Sequence, residues 1–391
     1  MPATLFSPTL TPSVHAVTSG AQHHFFGYYD KSPWDVTGRW ILGMAVTFMD
    51  RPPTENDVVE IGLIDTQTGN AWTPLAESRA WNWQQGCMLQ WLDEGRAGDL
   101  IFNDRQDSQF VARVLNIHTR RERTLPRPVY AVNHSGTHGA SLNFSRLHHQ
   151  RPGYGYAGVA DPWLNVERPA DDGIFSLDLA TGEDKLIYSV AQAAEYQPLK
   201  EFADKMHRFN HLQFSPSGNR FAVLHRYRSP EEEVGRTRLL TMNLDGSDVH
   251  CLSDHGLVSH YDWRDADSIL AWANREGIGH RYFLFNDRTA AISVIGEDVF
   301  SSDGHCSFSP DRQWMLTDTY PDAELRRTLM LFHWKSGRRV DLGRFYSPKV
   351  QWQIRCDLHP RWSRDGRQIC IDSVHEGSRQ MYVLDVSEIV G

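Results

Sequence analysis

Short runs of alternating apolar and polar residues fill most of the chain, and turns containing Gly, Asp or Ser close them. Such period-two runs read as half-buried strands, whereas helical spacing is scarce. The best helical candidate is 190–206, expected as an insertion between strands. One composite pattern recurs. A polar residue precedes an aromatic by three positions, a turn follows, and then an apolar strand. It reads KSPWDVTGRWILG from Lys31, MLQWLDEGRAGDLIF from Met88, SLNFSRLHHQ from Ser141 and HLQFSPSGNRFAVL from His211. It continues as HYDWRDADSILAW from His260, HCSFSPDRQWMLT from His305 and HPRWSRDGRQICI from His359.

The aromatic anchors are Trp34, Trp91, Phe144, Phe214, Trp263, Phe308 and Trp362, spaced roughly as four-stranded blades of about 45 residues with loops require. In each unit the anchor segment is expected to be the innermost strand. A second apolar run ends in a further turn, as in IGLIDTQTGN, FSLDLATGED and LLTMNLDGSD. The expected fold is therefore all-β: a seven-bladed β-propeller with four-stranded blades, one domain over 1–391. A pair of β-sandwiches is the alternative, but seven like units suit a ring better. Residues 13–21, extended in character, could complete the last blade and join the two ends of the chain.

Aligning the units places Lys31, Met88, Ser141, His211, His260, His305 and His359 at one repeat position. Equivalent inner-strand positions occupy one level around a propeller axis, so the four histidines should meet at one mouth of the channel. A histidine capping its own strand would be the simpler account of any single one; four in succession favour a site. Asn210 precedes His211, and Asp303 lies two residues before His305. Asp357 lies two before His359 and should share its side of a strand, with Gln353 and Arg355 just upstream. Imidazoles with a carboxylate and an amide oxygen suit a divalent ion. Mn²⁺ is the first expectation, with Zn²⁺, Fe²⁺ or Ca²⁺ as alternatives, and the candidate ligands are His305, His359, Asp357 and Gln353.

The segment HHFFGYYDKSPW adds His24, Tyr28 and Tyr29, read as a sugar platform or proton donor, or as plain blade packing. Arg226 and Arg228 follow the inner strand of the His211 unit and could meet an anionic ligand. RPGYGYAG, from Arg151, reads as a rim loop.

A net charge of −9 argues against nucleic acid or an anionic membrane as partner, but allows a locally basic site for a small acidic ligand. The five cysteines are widely spaced with no CxxC, which disfavours a disulfide framework or Cys-rich zinc site. Residues 1–20 lack a signal-peptide pattern, and no apolar run could span a membrane, so a cytoplasmic protein is expected. GxSxG, HExxH, P-loop and Rossmann fingerprints are missing.

The runs HLQFSP, HRYR, SHYDW, GHCSFSP and DLHPRWSRDG resemble, in order, the oligogalacturonate lyases, with coverage from about Asn210 to Val386. The resemblance implies a cytoplasmic seven-bladed propeller that cleaves short uronate oligosaccharides by β-elimination. It also implies a Mn²⁺-type ion held by His and Gln side chains. It makes His260 the base, Arg226 the assisting cation, and His305 and His359 metal ligands. The chain departs from the family where its last ligand run reads Gln, two residues, His, one residue, His. Asp357 stands at the inner His, and Gln353 is one residue out of step. The expected assignment is thus catalytic His260, Arg226 and Tyr28, with His211, Asn210, His24, Tyr29 and Arg228 contacting substrate. The expected partner is a small acidic oligosaccharide. A glycoside hydrolase using carboxylates at the same mouth and a non-catalytic binding scaffold are the alternative functions.

Overall fold

A computed structural model describes residues 12–229, 231–232 and 235–391; the first eleven positions of the N-terminal reading lie outside them. Its strands form seven four-stranded antiparallel sheets arranged as the blades of a propeller. Blade 1 begins at the strand His23–Phe25, and blades 2 to 6 begin at Gln90–Trp91, Ala131–Val132, Met206–Phe214, Val258–Trp263 and Ser307–Phe308. Blade 7 takes three strands from Arg361–Trp362, Gln368–Ser373 and Gln380–Asp385. Its outermost strand is Val14–Ala16 from the other end of the chain, with Val14 opposite Leu384. The ring is therefore closed by hydrogen bonds between its ends, and the early extended segment completes the last blade as expected.

Each apolar face can be buried only against the next blade. Trp314 and Leu316 of blade 6 pack with Ile369, Ile371 and Leu384 of blade 7. Leu270 and Trp272 of blade 5 meet Phe308 and Met315 of blade 6. The first hairpin turns carry Gly38, Gly218 and Gly366 at φ of 72°, 73° and 72°, a conformation that costs a residue with a Cβ about 1 kcal/mol or more.

Two units depart from the simple repeat. In blade 3 the innermost strand is Ala131–Val132 and the second is His138–Ser141, so Ser141 and Phe144 are not the inner-strand positions expected of them. Phe144 instead opens the helix Phe144–Gln150, because the Asn143 side chain accepts the backbone N–H of Arg146 (2.9 Å) and caps it. This helix begins an insertion between the second and third strands of the blade. In blade 1 the inner strand is split. His23–Phe25 pairs with the second strand, Trp34 rejoins it through a bridge to Ile41, and residues 26–33 leave the sheet between them. Of the 190–206 segment, only Val190–Glu195 is α-helical. A capping box at Ser189 starts it, and Met206 already belongs to blade 4.

Candidate functional site

Residues 26–33 run into the channel and plug it. Arg361 of blade 7 pairs with Asp372 (2.9 and 3.0 Å) and donates to the carbonyls of Gly27 and Tyr28. Gly27 has φ of 120°, and a Cβ there would lie 2.9 Å from the Gln85 backbone, so only glycine lets the segment enter. The Tyr29 hydroxyl donates to the Tyr261 carbonyl and accepts its N–H, both at 2.9 Å. Tyr28 and Tyr29 thereby form the floor beneath the histidines, while Tyr29, Asp30 and Lys31 also line a cavity of about 440 Å³ on the opposite side, with Asp30 3.6 Å from His211.

The four aligned histidines meet on that floor. Ring centroids lie 4.1 Å apart for His260 and His305, and 4.5 Å for His305 and His359. His211 joins them through Tyr28 (5.0 Å) and Tyr29 (5.5 Å). Backbone irregularity aims two of them. The register jumps across His211, between Asn210 and Leu212, and across His260, between Val258 and Tyr261. Such bulges redirect side chains and recur beside active sites. His211 and His359 also hold positive φ, 51° and 41°, which places backbone strain at the site.

Hydrogen bonding assigns the free nitrogens. His305 Nδ1 lies 2.8 Å from Asp318, whose carboxylate can only accept, so Nδ1 carries the proton and Nε2 presents a lone pair. That Nε2 is buried and has no hydrogen-bond partner, nor has His359 Nε2. Burial pushes the His305 and His359 rings below the ordinary imidazole value, and His211 down to about 4, so all three are neutral at pH 7. His260 Nδ1 bonds Asp303 (2.9 Å), which leaves Nε2 as its basic atom.

Among the described residues, ligand atoms of His305, Asp357 and His359 lie within 4.8 Å of one another, all on buried side chains. Burial alone would raise the Asp357 carboxyl, but Arg327 (2.6 Å) and Arg355 (2.8 Å) overrule it and hold it well below the usual carboxylate range. Two orphaned imidazole nitrogens, one carboxylate and Asp318 behind His305 fit a borderline divalent cation. Gln353 sits on the short turn Trp352–Ile354, bordering a small separate cavity with Trp81, Trp83 and His148.

The wall beside blade 4 is cationic. Arg208 and Arg226 stand directly opposite each other on adjacent strands. Arg226 donates to Thr237 (2.9 Å) and Arg208 to Gln150 (3.3 Å), both neutral partners, and each Nε has none. Burial first, then neighbouring guanidiniums that include Arg151, disfavour the charge on both, so an anion is what the pair lacks. Arg228 lies farther along the same strand, donating to the Glu232 carbonyl (2.8 Å). The blade 3 insertion crosses toward blade 7. Tyr154 stacks on Trp352 (6.1 Å), its hydroxyl accepts from Arg355 (3.1 Å), and Arg151 lies over Trp352 (4.5 Å).

The structure brings Tyr28, His211, His260, His305, Asp357 and His359 together. Asn210 stands behind them, its Oδ1 accepting from the Tyr130 hydroxyl (3.3 Å). His24 is not brought to the mouth: Nδ1 bonds Gln380 (2.9 Å) and the ring packs edge-on to Trp72, between blades 1 and 7. Tyr29 is a plug residue, since its hydroxyl is fully used by backbone. Arg208, Asp318 and Arg327 are site residues that the sequence reading missed. Asp318 had a signal, because it shares a repeat position with Asp372, which holds the plug.

Comparison with solved structures agrees with this architecture. An oligogalacturonate lyase from Vibrio parahaemolyticus superposes with a TM-score of 0.67 at 15% identity, covering 97% of this chain and 96% of that one. The chain has the fold of oligogalacturonate lyase. A second such lyase, solved in complex with manganese, gives a TM-score of 0.68 at 16% identity over 97% and 95% of the two chains. The lyase fold is shared more loosely with the β-propeller domain of the Trilobed protease from Pyrococcus furiosus, at a TM-score of 0.54 and 9% identity over 94% and 95%. No protein-family profile matches the chain, and no curated protein matches its sequence. No helix among the described residues is long and apolar enough to cross a membrane.

Proposed function

We propose that the histidine mouth is the active site of a β-eliminating lyase acting on a uronic-acid-containing oligosaccharide. The observation that carries this reading is the pairing of an oriented base with a cationic wall. His260 is fixed through Nδ1 by Asp303, and the unmatched guanidiniums of Arg208 and Arg226 stand together on blade 4, with Arg226 in electrostatic reach of Tyr28 on the floor. A uronate C5 hydrogen is poorly acidic because the carboxylate beside it is already negative. Cations around that carboxylate stabilise the extra charge that builds up as the proton leaves. His260 Nε2 takes the C5 proton, and Asp303 stabilises the resulting imidazolium. The C5–H electron pair becomes the C4–C5 double bond, the C4–O bond breaks, and the departing oxygen takes a proton. Tyr28, whose hydroxyl burial holds protonated, is the candidate donor.

When bound, a divalent cation held by His305, Asp357 and His359, manganese first among the candidates, supplies further positive charge to the substrate carboxylate. Neutral His211 contributes a hydrogen-bonding edge on the floor, and Arg226 supplies the second charge.

The test is His260→Ala. Turnover of a uronate oligosaccharide should fall by about 10² to 10⁴, with Mn²⁺ binding and thermal stability retained. Unchanged turnover would remove His260 from the mechanism, and products without a new double bond would indicate hydrolysis.

A further inference from the structure

The carboxylate of the proposed metal triad is already ion-paired to two guanidiniums, although neither of its oxygens accepts an aligned hydrogen bond. Arg327 Nη2 lies 2.6 Å from Asp357 Oδ1, and Arg355 Nε lies 2.8 Å from Oδ2. Both guanidiniums are tethered elsewhere. Arg327 reaches Ser347 Oγ (3.2 Å) and the Thr319 carbonyl (3.3 Å). Arg355 reaches the Trp352 carbonyl (2.8 Å) and the Tyr154 hydroxyl (3.1 Å). Neither can withdraw from Asp357 without breaking those bonds.

The charges can be counted. Two neutral imidazoles, the Asp357 and Asp318 carboxylates and two guanidiniums leave the cluster neutral, and a dication would raise it to +2. Asp357 is 2% exposed, His305 1% and His359 2%, so water does little to screen that excess. An anionic group entering from the mouth would relieve it.

We propose that Arg327 and Arg355 are positioning residues that keep the affinity of the triad for a divalent cation low until an anionic substrate group arrives. Cation and substrate then bind cooperatively, each tightening the other by the same factor. This inference rests on the metal reading of His305, Asp357 and His359. It assigns Arg355 a role through Asp357, with no contact to substrate. Because Arg355 also holds the Tyr154 hydroxyl, the blade 3 insertion is tied to the same clamp.

Mn²⁺ titrations followed by the electron paramagnetic resonance of the free ion, with and without galacturonate, test it. Galacturonate offers the carboxylate but no glycosidic bond to eliminate. Wild-type protein should bind Mn²⁺ at least about tenfold more tightly with galacturonate present. Arg355→Gln should bind Mn²⁺ at least about tenfold more tightly than wild type without the sugar, and gain less from it. Asp357 keeps Arg327 in that variant, and Arg355→Lys, which retains the charge, should restore wild-type behaviour. Weaker or equal binding by Arg355→Gln, or a wild-type affinity indifferent to galacturonate, would overturn the clamp and leave the triad standing. Failure of every protein to bind Mn²⁺ would bring down the triad reading and this inference with it.

Discussion

Replacing Arg226 with Met should stabilise the protein and inactivate it together. Arg226 and Arg208 are paired across adjacent antiparallel strands, and both meet only neutral partners. Side chains so placed sit close, and like charges there repel. At a separation of about 6 Å and an effective dielectric near 20, the repulsion is about 3 kcal/mol. Losing the Arg226–Thr237 hydrogen bond costs about 1 kcal/mol. The net gain is about 2 kcal/mol, or about 2 °C in melting temperature for a chain of this length. Turnover should fall by about 10² or more, because one charge aimed at the substrate carboxylate is gone. Thermal melts with and without a diuronate separate the two effects. The ligand should raise the wild-type midpoint clearly and that of the variant little. A variant that melts lower than wild type, or that turns over normally, would refute the assignment of the pair as an anion site.

Three further outcomes follow from the same geometry. Arg361→Met removes the partner of buried Asp372 and releases Gly27 and Tyr28; denaturant titration should show a loss of about 3–5 kcal/mol, and a loss under 1 kcal/mol would mean that the plug stands unaided. Acidification should destabilise the fold between about pH 6.5 and 4. Burial lowers His207 and His211 to about 4, and His225, His305 and His359 also sit low, so the unfolded chain takes up protons that the fold refuses. The stability they contribute is complete above pH 6.5 and drains as pH falls, by about 3 kcal/mol apiece for His207 and His211. Asp172 and Asp262, raised to about 6 by burial, add stability in the same window as pH falls, but they are outnumbered. Urea midpoints that stay flat or rise from pH 7 to 4.5 would contradict this balance. Asp318→Asn should weaken Mn²⁺ binding by about 10- to 100-fold by loosening the His305 tautomer, read by metal titration; unaltered affinity would detach Asp318 from the site.

The histidine cluster was legible in the sequence because a propeller converts an equivalent repeat position into spatial proximity. His211, His260, His305 and His359 needed only the correct alignment of four units. The same logic misplaced Ser141 and Phe144. An aromatic after a polar residue also describes a capped helix, and Val132, the true inner-strand position of blade 3, carries no aromatic at all. His24 and Tyr29 belong to an aromatic-rich segment whose two roles, packing and plugging, look alike until the chain is threaded through the channel. Arg208 could not be recognised without the strand register that sets it against Arg226. Arg327 is remote in sequence from Asp357 and reaches it only because blades 6 and 7 adjoin.

The most direct measurement of the central claim is ultraviolet absorbance of a conjugated double bond during incubation with a panel of uronic-acid oligosaccharides and Mn²⁺. The account predicts a rise with at least one uronate substrate, suppressed by EDTA and absent in His260→Ala. Cleavage with no rise in absorbance would contradict elimination, and no cleavage across a broad panel would contradict uronates as the substrate class.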